Sequence, residues 1–137
     1  MNHFAIIDTN VLVSALISSK EDSATVQVLS KMILGEITPV INNVILYEYG
    51  DVLSRPKFGF SPDLVNSIIA IFEKNGVYHE PKPSGAVIKD MDDLPFYEVA
   101  LELHGHDCFL ITGNIKHFPK HPFIVSPREY LEIVFNT

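Results

Sequence analysis

Short apolar runs alternate with segments of helical spacing along the whole chain. Residues 4–7 are continuously apolar, which is typical of a strand in a parallel sheet covered on both faces. Apolar residues at helical spacing follow at 11–17 and again at 24–34. The remaining strand candidates are ITPVI at 37–41, VYHE at 77–80, CFLIT at 108–112 and FIV at 123–125. Further helices are predicted from Asn42 or Asn43 to about Leu53, from Ser61 to about Lys74, from about Pro95 to Leu103, and after Ser126.

Residues with known terminal preferences mark several helix ends. Gly35 follows the last apolar residue of the second helix, and Asn42 or Asn43 can cap the third. Ser61-Pro62-Asp63 is a helix-start signal. Ser126-Pro127-Arg128-Glu129 predicts a capping box with proline at the first helical position. The segment 81–92, rich in Pro, Ser and Gly, is predicted to be a loop.

The alternation of strands and helices predicts an α/β domain with a mainly parallel sheet and helices on both faces. A length of 137 residues and a hydrophobic fraction of 47% fit one domain, which we expect to span 1–137. No apolar run approaches the roughly 18 residues of a membrane span. The N-terminus lacks the pattern of a signal peptide, so we expect a cytoplasmic protein without a membrane partner. The lone Cys108 excludes an internal disulfide framework.

The charge balance limits the modes of nucleic-acid binding. The chain has 17 acidic residues against 10 Lys and Arg, giving a net charge of −7. This balance counts against a broad basic surface for nucleic acid. It leaves open an enzyme whose acids are concentrated in a metal site.

Several acids and one polar turn fall where a functional crevice is expected. Asp8 directly follows the first strand, and Thr112-Gly113-Asn114 follows the strongest C-terminal strand. Functional crevices of open α/β sheets lie beyond the carboxyl ends of the strands. Glu48 interrupts the apolar helical stretch VILYEYGDVL, and Asp93 lies in an acidic group with Asp90 and Asp92. Such carboxylates repel one another unless a cation is present, and hard divalent cations take oxygen ligands.

Each of these residues also has a purely structural interpretation. Asp8 and Asp93 occupy positions where an aspartate can cap a helix. Glu48 can be an ordinary solvent-facing helix residue, and Asn114 can be a turn residue. The occurrence of all four near strand ends favours the metal site, but the residues alone leave both interpretations open.

Other polar residues suggest weaker alternatives. Histidines near Cys108 raise the question of zinc, but HGHDC lacks the regular spacing of a structural zinc site, and a free cysteine is usually a small buried hydrophobe. The histidines concerned are His104, His106, His117 and His121. Four basic residues can either contact phosphates or simply be solvated surface residues: Arg55, Lys57, Lys116 and His117.

Four blocks of the chain, in order, resemble the PIN-domain family, and more narrowly the toxins of toxin–antitoxin systems akin to VapC. The blocks are IIDTNVLVSAL, VILYEYGDVLSRPKF, DMDDLPFYEVALELHGHDCFLITGN and IVSPREYLEI. The resemblance implies a three-layer α/β/α sandwich and a ribonuclease that depends on Mg²⁺ or Mn²⁺. It also implies an RNA substrate, an antitoxin protein as partner, and a homodimer.

The resemblance assigns roles residue by residue. Asp8, Glu48 and Asp93 match the family's metal-ligating acids, whose ion would activate the attacking water. Asn10 of the DTN motif would orient Asp8 through a hydrogen bond. Thr112 matches the threonine of the family's TGD turn.

Asn114 departs from the family, which commonly has an aspartate at this position. Its amide oxygen can still contact a cation or position a water, so Asn114 stays among the candidate catalytic residues, but it contributes no charge. A second metal ion is therefore expected to bind less tightly. Glu98, five residues after Asp93, is a poor angular match for a replacement on a helix.

These observations lead to a predicted metal-dependent endoribonuclease that is the toxin of a toxin–antitoxin pair. The main alternative is a PIN-like module that has lost catalysis and binds RNA or a protein partner without cleavage, an interpretation motivated by Asn114. A phospho-aspartyl phosphatase would want a second aspartate where this chain has Asn10, and no lysine motif of that class or of a receiver module is clear.

Overall fold

Five strands form one sheet in the computed structural model of the protein, which describes residues 3–136. The strands are β1 (His3–Ile7), β2 (Ile37–Ile41), β3 (Val77–Tyr78), β4 (Cys108–Ile111) and β5 (Ile124–Val125). Their order across the sheet is β3-β2-β1-β4-β5, and every neighbouring pair is parallel. The first strand of the chain therefore lies in the middle of the sheet.

Six α-helices accompany the sheet within residues 3–136. They are α1 (Thr9–Ile17), α2 (Ala24–Ile33), α3 (Asn43–Leu53), α4 (Pro62–Asn75), α5 (Leu94–Leu103) and α6 (Pro127–Phe135). Helix α2 packs against α1 and α6, and α3 packs against α4 and α5. Helices α1 and α3 also contact each other, as do α2 and α4. This is the predicted three-layer α/β/α sandwich, with a sheet that is parallel throughout its described strands. None of the helices within residues 3–136 has the length and apolar character needed to cross a bilayer.

The central position of β1 explains why its sequence is continuously apolar. Ala5, Ile6 and Ile7 are each fully buried, because β2 and β4 flank the strand and helices cover the sheet. A strand with one solvated face would instead alternate apolar and polar residues. The burial of β1 makes it a rigid support for the residue that follows it, Asp8.

The predicted caps are confirmed. Asn42 accepts a hydrogen bond from the Ile45 amide at 2.9 Å, and Ser61 caps α4. The Ser126–Glu129 capping box is formed in both directions at the start of α6. Gly35 follows α2 with a φ of +84°, a conformation that side chains other than glycine rarely adopt. Helix ends in this chain thus follow local side-chain chemistry.

The element boundaries differ from the predictions by one or two residues in several places. Helix α1 begins at Thr9 rather than residue 11, because its first turn is built from polar residues that apolar periodicity does not detect. Strand β3 is only Val77–Tyr78, an exposed edge strand, instead of 77–80. The prediction of one domain over 1–137 remains a prediction, and its residues 1, 2 and 137 lie outside the described residues.

Candidate metal centre

The register of β1 and β4 brings Asp8 beside Thr112. Ile7 is paired with Ile111, so the residues that follow the two strands leave the sheet at the same edge. The Asp8 amide donates to the Ile111 carbonyl oxygen at 2.9 Å, which extends the pairing by one residue. The Thr112 hydroxyl then donates to Asp8 Oδ2 at 2.8 Å. Two side chains 104 positions apart in the sequence are joined directly.

Asn10 and the turn after β4 complete the hydrogen-bond network around Asp8. Asn10 Nδ2 donates to Asp8 Oδ2 at 2.9 Å, and Asn10 Oδ1 accepts from the Gly113 amide at 2.8 Å. The backbone N–H of Asn114 donates to Thr112 Oγ1 at 2.9 Å. A Cβ atom at Gly113 would lie 3.0 Å from Asn10 Oδ1, so a side chain at this position would crowd Asn10. Both side-chain bonds to Asp8 fix the same oxygen, Oδ2.

Asp8 does not act as a helix cap. It occupies the N-cap position of α1, yet its side chain makes no capping hydrogen bond. Only 2% of the residue is exposed. The pKa of Asp8 is raised to about 6, because burial and then the charge of Asp93 raise it by more than hydrogen bonds from Thr112, the Thr9 backbone and Asn10 lower it. A buried carboxylate of this kind is stabilised in its charged form by a nearby cation.

Helix α3 brings Glu48 to the same region. Glu48 is half-buried, and its pKa is raised by burial, then by the charges of Asp92 and Asp51, while Arg55 lowers it. The next residue, Tyr49, is fully buried, and its hydroxyl donates to the Ile7 carbonyl oxygen at the end of β1. This bond ties the helix that carries Glu48 to the strand that precedes Asp8.

Asp93 lies at the junction of a 3₁₀ helix, Met91–Asp93, and α5. Like Asp8, it occupies an N-cap position without making a side-chain capping bond. His117 Nδ1 is 3.2 Å from Asp93 Oδ2. The pKa of Asp93 is raised by burial and by the charges of Asp90 and Asp92, and lowered by the hydrogen bond from His117 and its charge. The side chain of Asp93 is only 14% exposed.

These side chains line one polar cleft of about 460 Å³. Its lining includes all four predicted catalytic residues and the supporting Asn10. The residues with polar or charged side chains that line it are Asp8, Thr9, Asn10, Ser14, Glu48, Arg55, Lys57, Asp90, Asp92, Asp93, Asn114 and His117. The cleft is therefore mainly acidic, and two positively charged side chains, Arg55 and Lys57, also line it. Thr112 is fully buried beneath it.

The donor set of the cleft suits a divalent metal ion. One potential ligand atom from each of Asp90, Asp93 and His117 lies within 4.8 Å of the others, and among residues 3–136 no other group of three His, Cys, Asp or Glu meets this criterion. Asp8 and Glu48 line the same cleft but lie outside that group. Thr9 Oγ1 is buried in the cleft lining without a hydrogen-bond partner among the described residues. An orphaned buried hydroxyl is costly, so it favours a bound group in the cleft.

Glu98 lies elsewhere, in agreement with its poor predicted geometry. Its carboxylate accepts hydrogen bonds from the Ser84 amide at 2.6 Å and the Ser84 hydroxyl at 2.8 Å. Glu98 therefore anchors the loop before α5 and does not line the cleft. It offers no compensation for the missing charge at Asn114.

The histidines near Cys108 do not form a zinc site with it. His104 and His121 stack on the Phe123 ring, with centroids 4.4 and 4.6 Å away. Cys108 is buried, and burial raises the pKa of its thiol to about 12. A thiol with this pKa is protonated at neutral pH and is a poor metal ligand. Cys108 is the small buried hydrophobe that the sequence predicts.

The pairing of His117 with Asp93 was not predicted from the sequence. His117 was considered there as a zinc ligand near Cys108, a phosphate contact or a surface residue, whereas the structure places the ring in the cleft lining beside Asp93. The available signal was its position, three residues after Asn114 and so near the carboxyl edge of β4. From the sequence, Asp90 was noted only as a neighbour of Asp93. Its place beside Asp93 and His117, as a third potential metal ligand, depends on the fold of the 81–92 loop.

Comparison with known proteins identifies one family. A family model described as PIN domain matches residues 5–116, which is most of the chain. None of the curated proteins compared with the chain matches it. The matched segment contains Asp8, Glu48, Asp93 and Asn114 and ends one residue before His117. PIN domains have a nuclease fold and are generally metal-dependent, which agrees with the acidic cleft. By its sheet order, its acidic cleft and this match, the chain belongs to the PIN-domain family.

Proposed function

We propose that the protein is a metal-dependent endoribonuclease that hydrolyses RNA phosphodiester bonds. The observation that carries the proposal is the buried Asp8, an acid with a raised pKa in a cleft lined by further acids. Three carboxyl groups with raised pKa values facing one cleft favour a cation as their common partner. Such a cation can serve phosphodiester hydrolysis, because it can activate a water and offset the charge that develops on the phosphate.

Asp8, Glu48 and Asp93 would hold Mg²⁺ or Mn²⁺ in this cleft, with the Asn114 amide oxygen at its rim. When bound, the ion supplies Lewis-acid chemistry, which activates a water for attack and offsets the charge that develops on the phosphodiester. The donor set is mainly carboxylate oxygen, as hard divalent cations prefer.

The residues behind the ligands hold them in position. Asn10 and Thr112 both donate to Asp8 Oδ2, which fixes the rotamer of a side chain that is almost fully buried. The backbone N–H of Asn114 donates to the hydroxyl of the same threonine, so the turn after β4 is fixed by the same network. Such outer hydrogen bonds orient ligands and are commonly worth about 10–100-fold in metal affinity or activity.

Arg55 and Lys57 are the cations placed to meet the phosphates of the substrate. Both are exposed and line the same cleft as the acids. Arg55 is held by an ion pair with Asp51 at 3.5 Å, and Lys57 lies over the Phe58 ring. A local cationic rim lets an acidic protein bind a polyanion without a broad basic surface.

We propose that one ion, rather than a symmetric pair, serves the reaction. Asn114 contributes no charge where the family commonly has an aspartate, and Glu98 is engaged with Ser84. A second ion in the cleft would therefore have fewer anionic ligands.

The physiological role that we propose is that of the toxin in a toxin–antitoxin pair, acting in the cytoplasm as a homodimer of single domains spanning 1–137. An antitoxin would inhibit the enzyme by placing a basic side chain against the acids of the cleft. Growth arrest on expression of the chain, abolished by Asp93→Asn, is the expected outcome. Normal growth of cells producing an RNA-cleaving wild type would contradict the toxin role alone.

Cleavage of a mixed RNA pool tests the catalytic proposal. Metal-stripped protein should cut the pool only after Mg²⁺ or Mn²⁺ is restored, and Asp8→Asn or Asp93→Asn should abolish cutting. Asp107→Asn is the matched control, because Asp107 lies outside the cleft lining and its φ of 57° is readily adopted by asparagine. That variant should cut like the wild type.

The same experiment distinguishes the proposed nuclease from the competing function. A folded wild type that binds no metal and cuts no RNA would favour the PIN-like module that binds without cleavage, which Asn114 motivates. Asn114→Asp is then the next variant, because it restores the carboxylate at that position. Cutting gained by this variant alone would identify Asn114 as the cause of the loss.

A further inference from the structure

We propose that His117 supplies a nitrogen ligand to the metal ion in the cleft, and that this ligand makes the cleft prefer a first-row transition dication over Mg²⁺. The inference rests on the metal-binding part of the proposed function and goes beyond its carboxylate ligands. It assigns a role to a residue that lies outside the segment matched by the family model.

The position of His117 follows from the turn after β4. A short 3₁₀ helix, Ile115–His117, begins directly after Asn114, and the His117 amide donates to the Asn114 carbonyl oxygen at 2.9 Å. This turn brings the imidazole into the cleft lining, where its side chain is 33% exposed. A ring nitrogen there lies within 4.8 Å of a carboxylate oxygen of both Asp90 and Asp93.

The two ring nitrogens have different surroundings. Nδ1 is 3.2 Å from Asp93 Oδ2, whereas Nε2 has no hydrogen-bond partner among residues 3–136. A nitrogen and an oxygen at this separation can bind one ion as adjacent ligands, because metal–ligand bonds of about 2.1 Å place two such atoms about 3 Å apart. Nδ1 is therefore the ring nitrogen that faces the carboxylates and would bind the ion with them.

A second observation supports a bound group at this place. The Thr9 side chain lines the cleft, the residue is 5% exposed, and its Oγ1 has no partner among the described residues. A polar atom of this kind is normally satisfied by protein, water or a bound group. The His117 imidazole and the orphaned Thr9 hydroxyl thus belong to residues that line the same cleft.

The preference for a transition metal follows from the ligand type. Mg²⁺ requires near-ideal octahedral oxygen coordination and dehydrates reluctantly, so an imidazole contributes little to its binding. First-row transition dications accept imidazole together with carboxylates. Asn114 strengthens this expectation. Where the family commonly has an aspartate, it offers no anionic oxygen, so a larger part of the metal-binding free energy would come from the His117 nitrogen.

Pulsed electron paramagnetic resonance of bound Mn²⁺ tests the ligand directly. Mn²⁺ added to metal-stripped wild type should show a coupling to a directly bound nitrogen. His117→Asn should lose that coupling, and its preference for Mn²⁺ over Mg²⁺ in competition binding should fall by about tenfold. His106→Asn is the matched control, because His106 is exposed and lies outside the cleft lining. This control should retain both properties.

His117→Asn also separates a ligand from a positioning residue. The asparagine amide can take over the hydrogen bond to Asp93, but it offers no nitrogen lone pair to a cation. If His117 only positioned Asp93, the variant would bind Mn²⁺ with the affinity ratio of the wild type. Thermal unfolding of both proteins without metal verifies that the variant is folded.

Two outcomes overturn the inference: Mn²⁺ bound by the wild type without nitrogen coupling, and coupling that persists in His117→Asn. Neither affects the proposed nuclease, whose test is RNA cleavage. Conversely, a nitrogen-coupled Mn²⁺ site in a protein that cuts no RNA supports the ligand and refutes the nuclease. Absence of saturable Mn²⁺ binding refutes the inference as well.

Discussion

Asp8 combines two properties that are unfavourable together in a folded protein, burial and negative charge. Its carboxylate is 2% exposed and shares its surroundings with Asp93, so its pKa rises to about 6. The hydrogen bonds from Thr112 and Asn10 offset only part of this cost. Asp8 thus lowers the stability of the metal-free protein at a position where the proposed chemistry needs an anion, as is common at functional sites.

The raised pKa of Asp8 gives a pH dependence to the metal-free protein. Between its ordinary value of 3.8 and about 6, the folded state binds the proton of Asp8 more tightly than the unfolded chain. The stabilisation from this protonation is complete below pH 3.8 and is lost as the pH rises through about 6, a change of up to about 3 kcal/mol. Asp8→Asn has no such group. Its free energy of unfolding, minus that of the wild type, should therefore increase with pH.

Chemical denaturation of both metal-free proteins at about pH 4 and about pH 7 measures this difference. A difference between variant and wild type that is the same at both pH values would contradict the predicted burial of the charge. Asp107→Asn, on an exposed acid, is the control and should show no comparable change.

Thr112 gives the second prediction at the scale of single residues. Thr112→Val keeps the shape of the side chain but removes the hydroxyl that donates to Asp8 and accepts from the Asn114 amide. We expect a loss of stability of about 1–3 kcal/mol, and metal affinity and RNA cleavage lower by about 10–100-fold. Thr112→Ser restores the hydroxyl and should recover most of the activity. Equal activity of the valine and serine variants would contradict the role assigned to the hydroxyl.

Helix α3 connects the core to the cleft. Glu48 faces the cleft, whereas Tyr49 packs beside Phe72 in the core, with ring centroids 4.8 Å apart, and bonds to the Ile7 carbonyl oxygen. Adjacent helix residues point in directions about 100° apart, so one element can serve both regions. The position of Glu48 therefore depends on a bond made by its neighbour.

Two buried tyrosines test this arrangement at the scale of the elements. Tyr49→Phe removes the bond to Ile7 and should cost about 1 kcal/mol of stability, with weaker metal binding because α3 is less firmly held. Tyr130→Phe is the matched control, because the Tyr130 hydroxyl is buried without a partner among the described residues. Its removal should be neutral or stabilising. Thermal unfolding of both variants gives the comparison, and equal losses would contradict the assignment.

At the scale of the whole molecule, the cleft joins parts of the chain that are remote in sequence. It is lined by residues that follow β1 and β4, by α3, and by the segment that leads into α5. The acids in it repel one another in the absence of a cation, so the fold and the proposed ion are thermodynamically linked. A ligand that binds only the folded state stabilises it by mass action.

Metal addition should therefore stabilise the entire domain. At a free Mn²⁺ concentration about one hundred times the Kd, the expected gain is about 2.7 kcal/mol, observed as a higher Tm. The double variant Asp8→Asn with Asp93→Asn should show no gain, and it should be no less stable than the wild type without metal at neutral pH. An equal increase of Tm in both proteins would show that the ion binds elsewhere.

Local patterns were sufficient to predict most elements of the fold. The burial of β1 makes its sequence continuously apolar, and the caps at Asn42, Ser61 and Ser126 depend on side chains within three residues of the helix start. The two-residue β3 was predicted too long, because an exposed edge strand carries little pattern. The start of α1 was missed because its first turn, Thr9 and Asn10, serves the cleft rather than the core.

The candidate site was predictable only in part. Chain order and the family resemblance drew attention to Asp8, Glu48, Asp93 and Asn114. Asp8, Asp93 and Asn114 lie at the ends of elements, and Glu48 lies within an otherwise apolar helical stretch, which are local features. Helix capping remained open for Asp8 and Asp93 until the structure showed that neither side chain makes a capping bond. The membership of a residue in one cleft is a property of packing, and no local pattern encodes it.

By itself, the sequence determined the alternation of buried strands and helices, the caps, and the acidic residue types at the ends of elements, because periodicity and capping are short-range. Only the tertiary structure decided that Thr112 bonds to Asp8 and that His117 meets Asp93, pairs that are 104 and 24 positions apart. These contacts depend on the order of strands in the sheet and on the register of β1 with β4. Strand order and register are set by the packing of the whole chain, and so is the cleft.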